Sequence, residues 1–178
     1  MPRPPFVAFT GLSNSGKTTL IEKLIPELIS RGLRVGALKH VGHEFDADQP
    51  GKDTWRYRKA GSAVTAAASA SRIGLVVETD RLPGPEDLMY LFRGVDLVLV
   101  EGYKKEPIPK IFVMGSRNNA SILADLDAHV IALVADRPLE THLPVFPVSD
   151  VAGLADLIIG NLARALPAAE GKSPESHG

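Results

Sequence analysis

The sequence predicts an α/β fold of the P-loop type, a mostly parallel β-sheet flanked by helices. Three observations carry the prediction. Short runs that are apolar at every position alternate with helix-periodic segments, as strands buried on both faces require. A Gly-x-x-x-x-Gly-Lys-Thr motif falls between the first such run and the first helix. No internal repeat and no dividing linker interrupts the 178 residues, which suits one nucleotide-binding domain over residues 1–166.

The elements follow in order. Residues 6–10 (Phe-Val-Ala-Phe-Thr), bounded by prolines and a glycine, read as a buried strand. From Lys17, the residues Leu20, Ile21, Leu24, Ile25, Leu28 and Ile29 recur at helical spacing. Gly32 stops that helix, and Pro26 inside it is expected to kink it. Residues 34–39 form a second strand, and 40–52 a polar loop without periodicity. Residues 53–60 read as a short helix closed by Gly61. Residues 63–69 and 74–79 are two strand candidates, the Ala-rich first being open to a helical reading as well. Pro85 and Gly94 frame a helix over 86–93. Apolar strands are expected at 97–100, 111–114 and 130–135, and Asp150 caps a last helix running to about Leu166. Residues 167–178, rich in Pro, Gly, Ser and charge, are expected to be disordered.

Composition narrows the function classes. Twenty Lys+Arg against 21 Asp+Glu give a net charge of −1, without the basic excess of a dedicated nucleic-acid binder. The absence of cysteine excludes disulfides, thiolate metal sites and cysteine nucleophiles. The longest stretch free of charged residues, 4–16, is well short of the roughly 20 residues of a spanning helix. The opening residues lack the helical apolar core of a secretory signal, so a cytoplasmic protein is expected.

The specific chemistry lies in Gly11-Leu12-Ser13-Asn14-Ser15-Gly16-Lys17-Thr18. Glycines let the chain wrap a phosphate so that backbone N–H groups converge on its oxygens, and the helix that follows adds its positive end. Lys17 reaches the β- and γ-phosphates, and the Thr18 hydroxyl helps hold Mg²⁺. Such a site needs an acid at the end of a neighbouring strand. In Asp96-Leu97-Val98-Leu99-Val100-Glu101, the two acids lie roughly 16 Å apart along an extended strand. Ligands bind beyond the carboxyl ends of strands, which selects Glu101 and leaves Asp96 at the far end.

Two further segments flank this edge. Lys39-His40-Val41-Gly42-His43, with Asp46 and Asp48 beyond, reads either as a metal-ligating set or as a phosphate- or partner-responsive loop. Lys104, Lys105 and Lys110 follow Glu101 and are either anion contacts or a solvated charge run.

Together these segments resemble the molybdopterin-guanine dinucleotide biosynthesis protein B family (MobB). The resemblance is carried by the P-loop, Lys39-His40…His43, residues 48–54 (Asp-Gln-Pro-Gly-Lys-Asp-Thr), Arg58-Lys59-Ala60-Gly61, Glu101-Gly102-Tyr103-Lys104 and Pro109-Lys110-Ile111. It implies a dimeric GTP-binding accessory with weak hydrolytic activity. Such an accessory assists the guanylyltransferase that joins GMP to molybdopterin. On that analogy, residues 11 to 19, ending in Thr19, bind GTP with Mg²⁺ at Thr18 and Glu101. The loops at 39–54, Lys39 and His40 among them, face the nucleotide or a partner such as the enzyme or molybdopterin. A largely apolar segment, 62–71, is available to pair across a dimer.

One departure stands out: the chain has no Asn-Lys-x-Asp guanine-reading motif. Asp136, after the strand at 130–135, either accepts from guanine N1 and N2 or caps a helix. Two other functions compete. The P-loop is close to that of adenylylsulfate kinases, although no acceptor-activating motif accompanies it. The histidines near it suggest a GTP-dependent metallochaperone.

Overall fold

The computed structural model describes residues 4–43, 45–115 and 120–165. They fall into two compact units, the described parts of Met1–His40 with Met89–Gly178, and Val41–Leu88. The expected disorder at 167–178 lies outside the described residues.

The larger unit is built on six parallel strands: β1 (Phe6–Thr10), β2 (Val35–Lys39), β5 (Leu97–Glu101), β6 (Lys110–Val113), β7 (Val130–Val134) and β8 (Val145–Phe146). They lie in the order β2-β5-β1-β6-β7-β8. β1 is buried along its whole length, as its unbroken apolar run requires. One face of the sheet presents Val7, Phe9, Leu97, Leu99, Ile111, Val113, Ala132 and Val134 to two helices, α1 (Lys17–Ser30) and α4 (Val151–Ala165). Leu20, Leu24 and Leu28 of α1 and Leu154 and Ile158 of α4 complete that core, the i, i+4 rows read from the sequence.

α1 continues through Pro26 as one element. At its end Arg31 pairs with Glu27 of its own helix and with Asp156 of α4, tying the two helices together. Asp150 Oδ1 accepts the Gly153 N–H at 2.9 Å, the expected cap of α4.

Two expectations change. Residues 86–93 are not one helix. A single α-turn, α3 (Pro85–Leu88), belongs to the smaller unit, and the chain then tightens into a 3₁₀ turn over Met89–Phe92. Phe92 meets Phe6 edge-on, with ring centroids 5.9 Å apart, and that packing holds the tighter turn. Lys110 does not reach the phosphate-binding edge. It opens β6 at the opposite end, 1% exposed, with Nζ donating to Asp127 Oδ2 at 2.9 Å. Asp127 also accepts the His129 N–H at 2.7 Å, and the Lys110 ammonium leads these bonds in holding its carboxyl far below the usual range.

The smaller unit comprises α2 (Asp53–Lys59), the antiparallel pair β3 (Val64–Ala68) and β4 (Ile73–Val77), and α3. The Ala-rich segment is therefore a strand. Arg58 organises the preceding polar loop: its guanidinium pairs with Asp46 and Glu78 and lies 4.0 Å from Asp48, which accepts the Thr54 hydroxyl at 2.9 Å. Among the described residues, no helix is long and apolar enough to cross a membrane.

Candidate nucleotide-binding site

Parallel register assembles the site. Lys39 and Glu101 are direct neighbours across β2 and β5, and Phe9 faces Glu101 across β1 and β5. Three strands thus end at one level, and the motif loop leaves β1 at that edge, the carboxyl edge where α/β sheets bind ligands.

The loop is drawn tight. Gly11 has φ +138°, and a Cβ there would collide with the Val113 carbonyl oxygen, so only glycine lets β1 turn against β6. Asn14 follows with φ 60°. No side chain caps the amino end of α1, which leaves its first N–H groups facing the cavity mouth.

Side chains then converge. The Lys17 ammonium donates to the Leu12 carbonyl at 2.6 Å and to Ser15 Oγ at 3.4 Å. Thr18 Oγ1 donates to Glu101 Oε2 at 2.8 Å, and Lys39 Nζ lies 3.5 Å from Glu101 Oε1. Burial lowers the Lys17 pKa; Glu101 opposes that shift, and the charges of Lys104 and Lys39 add to it. These groups surround a cavity of about 410 Å³ lined by Ser13, Asn14, Ser15, Gly16, Lys17, Thr18, Thr19, Lys39 and Glu101. A mouth whose described lining sets lysines around the Glu101 carboxylate favours a polyanion accompanied by a divalent cation.

The acid is held from behind. Gly102 N–H donates to the Phe9 carbonyl at 3.1 Å, and His40 N–H to the Glu101 carbonyl at 2.8 Å. Gly102, at φ +105°, leaves no room for a Cβ against His40, and Tyr103 follows at φ 50°. The His40 ring lies on the Tyr103 ring with centroids 4.8 Å apart. Left-handed backbone at a bulky buried tyrosine is unusual, and it sits directly behind the acid.

Most of the sequence-derived residues meet here, and some do not. Gly11 and Leu12 shape the loop without lining the cavity, and His40 packs on Tyr103 instead. Asp136 is exposed after β7 and its Oδ1 accepts the Val148 N–H at 2.8 Å, so it braces the chain after β8 and is not the cap of α4. Asp96 Oδ2 accepts the Arg34 N–H at 2.7 Å at the amino end of β5, as strand direction required. Among the described residues no three His, Cys, Asp or Glu come together to hold a metal ion. Asp46 is instead paired with Arg58. The Tyr103 strain and the Arg58 hub went unread in the sequence, because both depend on neighbours distant along the chain.

The family model described as Molybdopterin guanine dinucleotide synthesis protein B matches residues 6–136, from the start of β1 through Asp136. The chain belongs to the MobB family. It is 43% identical over 164 residues to the Escherichia coli (strain K12) molybdopterin-guanine dinucleotide biosynthesis adapter protein, spanning 87% of this chain and 91% of that one. The Haemophilus influenzae adapter protein of the same name is 42% identical over 159 residues, spanning 86% and 87%. A crystal structure of Bacillus subtilis MobB superposes with a TM-score of 0.71 at 33% identity, covering 88% of this chain and 96% of that chain. The MobB match contains the whole cavity, from Ser13 to Glu101.

Proposed function

We propose that this MobB-family chain is a GTP-binding adapter in biosynthesis of the molybdopterin guanine dinucleotide form of the molybdenum cofactor, acting beside the guanylyltransferase. The observation that carries the reading is the meeting of Lys17, Thr18 and Glu101 at one cavity on the carboxyl edge of the sheet. Residues 13–16 and Lys17 would cradle the phosphates, and Thr18 and Glu101 would hold Mg²⁺. The donor set fits, since Mg²⁺ takes hard oxygen ligands from a hydroxyl, a carboxylate and phosphates. Bound Mg²⁺ supplies neutralisation of phosphate charge. The names of the E. coli and H. influenzae relatives support the pathway.

Weak hydrolysis follows from what the cavity contains. Among the described residues its lining has no glutamine to orient water and no arginine, parts that supply factors of about 10³–10⁵ in other GTPases. A second subunit or the partner enzyme would complete it. Among the described residues that line the cavity, the carboxylate is Glu101, engaged by Thr18 and Lys39, which favours the adapter over a small-molecule kinase. The preference for guanine rests on the family, since one carboxylate oxygen of Asp136 already accepts the Val148 N–H.

A homodimer is part of the proposal. One face of the β3–β4 hairpin consists of Val64, Ala66, Ala68, Ile73, Leu75 and Val77, all exposed. An unbroken apolar face of this kind marks an interaction surface. A cytoplasmic setting is proposed with it. The test is GTP hydrolysis measured with and without the guanylyltransferase: slow turnover alone and faster turnover with the enzyme support the adapter reading. Fast partner-independent hydrolysis, or phosphorylation of adenylylsulfate at ordinary enzymatic rates, refutes it.

A further inference from the structure

Among the described residues, Lys39 is the one cavity-lining cation outside the P-loop. Its side chain is 60% exposed and its ion pair with Glu101 is long, at 3.5 Å. An exposed pair of that length contributes little to folding, because water screens it and a flexible lysine must be ordered to keep it. The β2–β5 pairing does not need it either, since His40 N–H already donates to the Glu101 carbonyl at 2.8 Å. A lysine at the mouth of the cavity, held loosely by Glu101, has another use.

Sheet order shows which. The strands run β1, β5, β2, so the P-loop, Glu101 and Lys39 stand in that sequence across the edge. Neighbouring strands are about 4.8 Å apart, which puts the end of β2 roughly 10 Å from the P-loop strand. Lys17 lies at the near end, where the loop encloses the inner phosphates. Glu101 and Thr18 mark the middle, where they would hold a divalent cation that neutralises phosphate charge. Lys39 lies beyond, one strand farther from the P-loop, where a third phosphate would reach it and a second would not.

We propose that Lys39 is the terminal-phosphate contact of this site: it bonds the γ-phosphate of a bound nucleoside triphosphate and thereby distinguishes triphosphate from diphosphate. This rests on the reading of the cavity as a Mg²⁺–nucleotide site. A divalent cation held by Glu101 would disfavour the ammonium at the same carboxylate and leave Lys39 for the γ-phosphate.

The test is equilibrium binding of Mg²⁺–GTPγS and Mg²⁺–GDP to the full chain and to Lys39→Met, Lys39→Arg, Lys23→Met and Lys17→Ala. Lys39→Met should weaken GTPγS about tenfold, the scale of one charge-assisted hydrogen bond, and GDP less than twofold. Lys39→Arg should restore most of the difference, and Lys23→Met, which removes an equal charge from the exposed side of α1, should leave both affinities unchanged. Equal weakening of both nucleotides by Lys39→Met, or of neither, overturns the inference while Lys17→Ala still weakens both. If Lys17→Ala binds both nucleotides as the wild type does, or if the wild type binds neither, the nucleotide reading itself fails and Lys39's role fails with it.

Discussion

Thr18 and Glu101, 83 residues apart in the chain, are joined by a 2.8 Å hydrogen bond from the threonine hydroxyl to the carboxylate. One residue lies in the first turn of α1 and the other closes β5, so the bond spans the gap between helix and sheet edge. Both oxygens suit a hard divalent cation, and the bond holds them at the separation of adjacent ligands.

This pairing separates two acids of the same strand. Glu101→Gln keeps an acceptor for Thr18 but removes the charge, so the Mg²⁺ dependence of nucleotide binding should fall by about tenfold or more. Asp96→Asn should leave binding intact and lower stability instead, by about 1 kcal/mol, because it weakens the acceptor for the Arg34 N–H. Mg²⁺ titration at fixed GTPγS and urea unfolding of both variants measure the two effects. The opposite assignment of effects contradicts the strand-direction argument.

The Lys110–Asp127–His129 cluster sets an acid limit on stability. The Asp127 carboxyl in the fold titrates far below its unfolded value near 3.9, with the Lys110 ammonium the largest cause. A depressed folded pKa contributes stability that is present above the unfolded value and is lost as pH falls through the folded one. Wild-type stability should therefore drop below about pH 4, and Asp127→Asn should be less stable at pH 7 with a shallower acid limb. Asp127→Asn should cost more than Lys110→Met, since it leaves a buried ammonium without its counter-charge. Urea unfolding from pH 3 to 8 reads both comparisons.

The hairpin face yields an assembly prediction. Ile73, 78% exposed, is the most prominent of its six apolar residues, with Leu75 beside it on the same strand. The double variant Ile73→Asp, Leu75→Asp should sediment at monomer mass under conditions where the wild type sediments at dimer mass. Its circular dichroism and GTPγS affinity should match the wild type. A wild type that is monomeric at micromolar concentration removes the dimer from the proposal.

Much of this was legible in the sequence where one local rule dominates. β1 announced itself as four apolar residues and a threonine between prolines and a glycine, and α1 as a row of Leu and Ile at helical spacing. Glu101 was chosen over Asp96 by strand arithmetic alone, and both fall where the arithmetic put them. What stayed hidden depends on partners far along the chain. Lys110 looks like a surface lysine in a charged run, and only Asp127, 17 residues on, makes its burial tolerable. Asp136 offers a carboxylate at the right edge, yet the Val148 backbone claims an oxygen through a loop that carries no pattern. β8 has two residues, too few for any periodicity to show. Arg58 draws on Asp46, Asp48 and Glu78, a grouping that no window of the sequence contains as a motif.

The central claim is that the cavity between the P-loop and Glu101 binds a Mg²⁺–nucleoside triphosphate. Calorimetric titration of Mg²⁺–GTPγS into the wild type and Lys17→Ala tests it most directly. The wild type should bind one nucleotide per chain, and Lys17→Ala should bind roughly 10- to 100-fold more weakly, the loss of a charge-assisted phosphate contact. Equal affinity in the two proteins would contradict the claim.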